Sequence, residues 1–234
     1  MDIFTPKFSH HEDEQVMINS LKTSLYNIAE DSIYSTGTCR IAVAGGNTPK
    51  LLYKELSKLT LDWQNIELYQ VDERFIDINS IESNQKMLRE QFAEAIDKGA
   101  EFFPINIKPT IEETVIAYNT EISLLDSPLF DLVLLGVGTD GHFASIFPNA
   151  DYLKGDTEFV IHTTTNVHAI HDRISLSISS ILNSKNIYAY ITGEEKYSII
   201  EETFYGQQKA AAYPIKVLFA HPEVVFFYCA DQAE

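Results

Sequence analysis

The segment Gly136-Val137-Gly138-Thr139-Asp140-Gly141-His142 pairs residues suited to proton transfer with a backbone that can bend sharply. An unperturbed histidine has a pKa of about 6.5, so His142 can accept a proton at neutral pH. Asp140 is near enough in sequence to influence its charge or organise the loop. Gly136, Gly138 and Gly141 permit close backbone packing. The competing reading is a solvated histidine on a glycine-rich loop. It is disfavoured because the segment directly follows an apolar run, Leu132-Val133-Leu134-Leu135. The same residues fit a dinucleotide fingerprint, Gly136-x-Gly138-x-x-Gly141, with acids downstream at Asp156 and Glu158. That fingerprint needs a helix opening at its third glycine. Pro148 follows too soon for one.

Other clusters could serve the same chemistry. In Gly45-Gly46-Asn47-Thr48-Pro49, two glycines precede a predicted helix, where free N–H groups and the helix dipole favour an anion. The alternative is an ordinary tight turn with Thr48 as N-cap. Asp72-Glu73-Arg74 sets a cation beside two carboxylates. Arg74 could polarise a carbonyl or hold a phosphate, while Asp72 or Glu73 orients it or handles a proton. A surface ion-pair cluster is the plainer alternative. Gly193-Glu194-Glu195-Lys196 completes the set. His168, His171 and Asp172 have a spacing that could hold metal on a helix, yet no further ligand is evident. Arg173 is an anion clamp or a solvated cation. His10 and His11 read as solvated, and Trp63 as a packing residue.

The elements that must position these residues alternate. Helices are expected at Glu12–Ser32 (with Val16, Ile18, Leu21, Leu25, Ile28 and Ala29 on one face), after Thr48-Pro49, and from Ser83 through Ile96. Others are expected at Ile111–Leu125, Ile170–Leu182 and Glu194–Thr203. Strands are expected at Arg40–Ala44, Ile66–Val71, Leu132–Leu135, Phe159–Thr163, Ile187–Ile191 and Val224–Cys229. This alternation predicts one α/β domain over residues 1–234. It would be a Rossmann-like, mostly parallel sheet flanked by helices on both faces, with room for a small additional lobe. Ligands of such sheets bind beyond the carboxyl ends of the strands, where the polar clusters fall. They therefore read as one composite site.

Composition narrows the partners. With 17 Lys+Arg against 34 Asp+Glu, the formal net charge of -17 repels nucleic acid and anionic membranes. The same field opposes an anionic metabolite, so local cations and helix termini must overcome it. No apolar run is long enough to span a membrane, and the N-terminus lacks the features of a signal peptide. Cys39 and Cys229 form no short-spaced pair, which predicts no disulfide framework and a cytoplasmic setting.

In order and spacing, several blocks resemble the 6-phosphogluconolactonase family, within the glucosamine/galactosamine-6-phosphate isomerase superfamily. They are Ala44 through Pro49, Asp72-Glu73-Arg74 with Ser83-Asn84, and Phe130 through His142 with Ala144-Ser145-Ile146-Phe147-Pro148. Weaker echoes are Arg173-Ile174-Ser175-Leu176 and Thr192 through Lys196. The resemblance implies hydrolysis of 6-phospho-D-glucono-1,5-lactone in the oxidative pentose phosphate pathway, without metal or organic cofactor, by a monomer or homodimer. It implies His142 as general base with Asp140 beside it, and Arg74 as electrostatic stabiliser. Phosphate would be held by Gly45, Gly46, Asn47 and Thr48 with Arg173 and Lys196, and Asp72 and Gly138 would complete the substrate site. The related glucosamine-6-phosphate deaminases usually carry a further acid after the histidine. Here Phe143 through Pro148 contains none, which favours hydrolysis. A non-catalytic sugar-phosphate sensor is a third alternative. The chain departs from the family pattern at Asn47, Asp77 and Phe143. It departs again at His168-Ala169-Ile170-His171-Asp172, where a Lys-Pro-Pro-like stretch is usual.

Overall fold

The computed structural model describes residues 5–46, 48–149, 158–206 and 212–230. Seven strands form a wholly parallel sheet: β1 (Lys7–His11), β2 (Cys39–Val43), β3 (Ile66–Gln70), β5 (Glu101–Phe103), β6 (Leu132–Gly136), β9 (Ile187–Thr192) and β10 (Val224–Cys229). Their order is β1-β10-β9-β6-β2-β3-β5. Three more strands, β4 (Asp72–Arg74), β7 (Val160–Thr164) and β8 (Asp172–Leu176), make a small antiparallel sheet in the order β4-β8-β7.

The large sheet is buried on both faces, which is why its strands read as continuous apolar runs. Along β6, Leu132 and Leu134 join one hydrophobic cluster, while Val133 and Leu135 join the other. The first cluster also takes in α1 (Glu14–Thr36), α2 (Lys50–Leu56), α3 (Asn84–Gln91) and α4 (Ala93–Asp97). The second takes in α5 (Ile111–Ile122), α6 (Ile178–Leu182), α7 (Glu194–Tyr205) and the apolar side of the small sheet.

The chain winds outward from β2 to β3 and β5, then returns to the other side of β2 with β6, β9 and β10. The winding reverses between β2 and β6. A crevice opens at such a switch point, beyond the carboxyl ends of the two strands.

Several expectations need correction. Residues 170–182 form β8 followed by the short α6, not one helix. Ladder bonds to β4 on one side and β7 on the other override the helical pattern. The strand expected at Phe159–Thr163 lies in the small sheet, as β7. Its alternation, with His162 and Thr164 exposed, suits a sheet wet on one face. The long helix expected from Ser83 divides at Phe92 into α3 and α4. On α1 the buried stripe uses Met17 with Ile18, Leu21, Leu25 and Ala29, and Val16 is exposed. His10 is exposed on the edge strand β1, as expected, whereas His11 beside it is half-buried. His10 packs edge-on against Tyr197 and Tyr228, and His11 stacks on Phe227. Trp63 is buried as expected, and its Nε1 donates to the Leu59 carbonyl at 3.0 Å.

Candidate active site

A cleft with about 710 Å³ of empty volume lies at the β2–β6 switch point. The turn after β2 contributes Gly45, Gly46 and Thr48, the loop after β6 contributes Gly138 and His142, and the small sheet contributes Asp72, Arg74 and Arg173. Lys196 enters from the first turn of α7.

After Gly136 the chain makes a tight loop with no helix, so the dinucleotide fingerprint lacks its structural context. Of the acids cited for it, Asp156 lies outside the described residues. Gly138 N–H donates to the His142 carbonyl at 2.9 Å, which brings the His142 ring back over Gly138. A Cβ at Gly138 would sit 2.1 Å from His142 Nδ1 and 2.8 Å from Asp140 Oδ1, so only glycine fits beneath the pair. Nδ1 of His142 lies 2.5 Å from Asp140 Oδ1, which also accepts from the His142 backbone N–H at 3.1 Å. An ionised carboxylate only accepts, so Nδ1 carries the proton and Nε2 keeps its lone pair. Burial alone would raise the Asp140 pKa. The hydrogen bond and charge of His142 outweigh it and hold the carboxyl below its usual value.

Asp72-Glu73-Arg74 divides its labour. Glu73 is buried and accepts from five donors: Gln70 Nε2, Ser83 Oγ and the backbone N–H groups of Arg74, Asn84 and Gln85. It anchors the N-terminus of α3, where Ser83 is the N-cap, and is walled off from the cleft. Burial pushes its carboxyl up, against the pull of those bonds. Asp72 lines the cleft and accepts from Ser145 Oγ at 2.7 Å, tying β4 to the turn after His142.

Arg74 stands directly opposite Arg173 on paired strands. Arg74 Nη1 donates to the Glu82 carbonyl, while its buried Nε has no hydrogen-bond partner among the described residues. Arg173 donates Nε–H to the Ile170 carbonyl at 3.0 Å and lies over the Phe147 ring at 5.8 Å. Burial, then the neighbouring Arg74 charge, pushes the Arg173 pKa down. Two adjacent guanidinium groups form the local positive field that the chain's net charge demands.

Thr48 does not cap α2, which begins at Lys50 without a side-chain cap. Its hydroxyl accepts from Lys196 Nζ at 2.9 Å, across the end of β6. Burial lowers the Lys196 pKa. Gly45 is needed because a Cβ there would meet the Asn84 side chain at 1.9 Å. Asn84, donating to the Asp72 carbonyl, belongs to the cleft wall.

The sequence-predicted residues Gly45, Gly46, Thr48, Asp72, Arg74, Gly138, His142, Arg173 and Lys196 therefore line one cleft, with Asp140 behind His142. Asn47 lies outside the described residues. His168, His171 and Asp172 diverge: His171 Nδ1 pairs with the Thr165 carbonyl and Asp172 with His162. Among the described residues no three potential metal ligands are grouped. Sequence reasoning passed over Asn84 and His168 as cleft residues and Phe147 as the neighbour of His142 and His168. Asn84 was signalled by its place beside the capping Ser83 and in a block that resembles the family, and His168 by nothing local.

Residues 12–226 match the family model described as glucosamine-6-phosphate isomerases/6-phosphogluconolactonase. A probable 6-phosphogluconolactonase of Dictyostelium discoideum is 33% identical over 215 residues, spanning 86% of this chain and 89% of that protein. The crystal structure of a 6-phosphogluconolactonase from Shewanella baltica superposes with a TM-score of 0.90 at 28% identity, covering 97% of this chain and 99% of that one. The 6-phosphogluconolactonase from Trypanosoma brucei gives a TM-score of 0.83 at 27% identity, covering 96% of each chain.

Proposed function

Because the chain belongs to the glucosamine-6-phosphate isomerase/6-phosphogluconolactonase family, we propose that it hydrolyses 6-phospho-D-glucono-1,5-lactone to 6-phospho-D-gluconate. The observation that carries this reading is the His142–Asp140 pair, with Nε2 unpaired among the described residues, in a cleft that also holds clustered cations.

The chemistry follows from the residues. His142 Nε2 takes a proton from water as its oxygen attacks the lactone carbonyl. Asp140 holds the ring in the required tautomer and stabilises the imidazolium that forms. Negative charge grows on the carbonyl oxygen, and Arg74 faces it. The intermediate then collapses, the bond from the carbonyl carbon to the ring oxygen breaks, and the imidazolium returns its proton to that oxygen. Gly45, Gly46, Asn47 and Thr48 hold the phosphate, with Arg173 and Lys196 supplying charge. Asp72 positions β4 and borders the substrate. No metal or organic cofactor is required by this scheme.

Deamination of glucosamine 6-phosphate fits less well. Residues 143–147 after His142 carry no acid, Phe143 and Ile146 are fully buried, and Asp72 is the one carboxylate among the described lining residues. Freshly generated lactone should disappear faster with the protein than by spontaneous hydrolysis, with no ammonia released from glucosamine 6-phosphate. Ammonia release without lactone turnover would reverse the assignment. Ligand-dependent thermal stabilisation without either turnover would indicate a sensor.

A further inference from the structure

The turn joining β7 to β8 reaches over the cleft. It is closed by Thr165 N–H donating to the His171 carbonyl at 3.0 Å, by His171 Nδ1 paired with the Thr165 carbonyl, and by Val167 N–H on Thr165 Oγ1. Its tip carries His168, which lines the cleft. The His168 ring lies edge-on to His142, with centroids 5.7 Å apart, and 5.7 Å from Phe147, which itself touches His142 at 4.9 Å. Neither His168 nitrogen has a hydrogen-bond partner among the described residues, whereas His171, three residues on, is bonded within the turn.

We propose that His168 is a substrate-contacting residue that sets specificity, forming a hydrogen bond to the sugar hydroxyl on the carbon next to the reacting carbonyl. The proposal rests on the lactonase reading above. A ring in direct contact with the general base is within reach of the substituents flanking the carbon that the base's water attacks. On this substrate those are the ring oxygen and the C2 hydroxyl, and the hydroxyl can both donate and accept. Burial, then the charges of His142 and Arg173, pushes the His168 pKa down, so at neutral pH it offers one N–H and one lone pair.

The test compares wild type with His168→Phe and His168→Gln, on the natural lactone and on its 2-deoxy analogue. Phenylalanine keeps the ring packing against His142 and removes both nitrogens. Glutamine keeps hydrogen-bonding capacity without the ring. Wild type should lose about tenfold in kcat/KM on the 2-deoxy analogue, as for one lost hydrogen bond. His168→Phe should lose a similar factor on the natural lactone and no longer distinguish the two substrates. His168→Gln should recover part of the discrimination. If His168→Phe discriminates as wild type does, the proposal is overturned. If wild type turns over neither lactone, the lactonase reading fails instead.

Discussion

Replacing Gly138 by alanine would place a methyl carbon 2.1 Å from Nδ1 and 2.2 Å from Cε1 of His142, where ordinary contact begins at 3.4 Å. The backbone tolerates alanine, because Gly138 is not among the glycines with positive φ. The imidazole must therefore retreat by about 1.3 Å. Its route is open, since the His142 side chain is 24% and the Asp140 side chain 33% exposed. The protein should keep its fold, with its thermal midpoint within a few degrees of wild type. Catalysis should suffer, because the 2.5 Å contact to Asp140 is lost and Nε2 moves off line. A misplacement of about 1 Å costs on the order of 10²-fold. The ceiling is the general base's whole contribution, about 10²–10⁴. We expect kcat/KM for freshly generated lactone to fall about 10²- to 10³-fold. The double variant Gly138→Ala/His142→Ala should be little worse than His142→Ala alone, since both act on one group. A folded Gly138→Ala enzyme within threefold of wild type would refute the placement of His142 over Gly138.

Four further outcomes follow from the same geometry. Asp140→Asn should lower kcat about 10²- to 10⁴-fold, by analogy with other His–Asp pairs, because asparagine no longer fixes the tautomer; kcat unchanged in steady-state assays would contradict this. The Asp140 carboxyl is held below its usual 3.8, so its stabilising effect is present above that value and lost as pH falls through the depressed one. The stability gap between wild type and Asp140→Asn should therefore shrink as pH falls below the carboxyl's usual value in denaturant titrations. Glu73→Gln keeps the shape but turns a donating NH2 toward donors that a carboxylate oxygen had accepted from, and should destabilise the protein by about 2–4 kcal/mol; an unshifted urea midpoint would show that those bonds carry little. Arg173→Ala should raise KM for the phosphorylated lactone at least about tenfold with a smaller change in kcat, and Arg173→Lys should rescue it poorly, because the planar guanidinium lies over Phe147. A loss confined to kcat would move Arg173 to the reacting end.

The central parallel strands were legible because burial on both faces writes continuous apolar runs, as in Leu132–Leu135. The strand ends were legible because Gly45-Gly46 and Gly136–His142 break those runs with small and polar residues. The small sheet was not. Residues 170–182 carry apolar spacing compatible with a helix, and only pairing with β4, distant in sequence, and with the preceding β7 makes Asp172–Leu176 a strand. That pairing also brings Arg173 beside Arg74, which no local pattern indicates. Glu73 looked like a candidate for proton handling because nothing in a tripeptide shows that the N-terminus of α3 will close over its carboxylate. Thr48 looked like a helix cap for the same reason: its partner, Lys196, arrives from across the sheet. Position 168 was invisible as a cleft residue because its neighbours His142 and Phe147 lie on the loop after β6, while His168 lies on the turn after β7.

The most direct test of the account is the rate of lactone disappearance with His142→Ala, measured on freshly generated 6-phosphogluconolactone against its spontaneous hydrolysis. With His142 as the general base, kcat should fall about 10²- to 10⁴-fold while the thermal midpoint stays at the wild-type value. A folded His142→Ala protein that hydrolyses the lactone at the wild-type rate would contradict it.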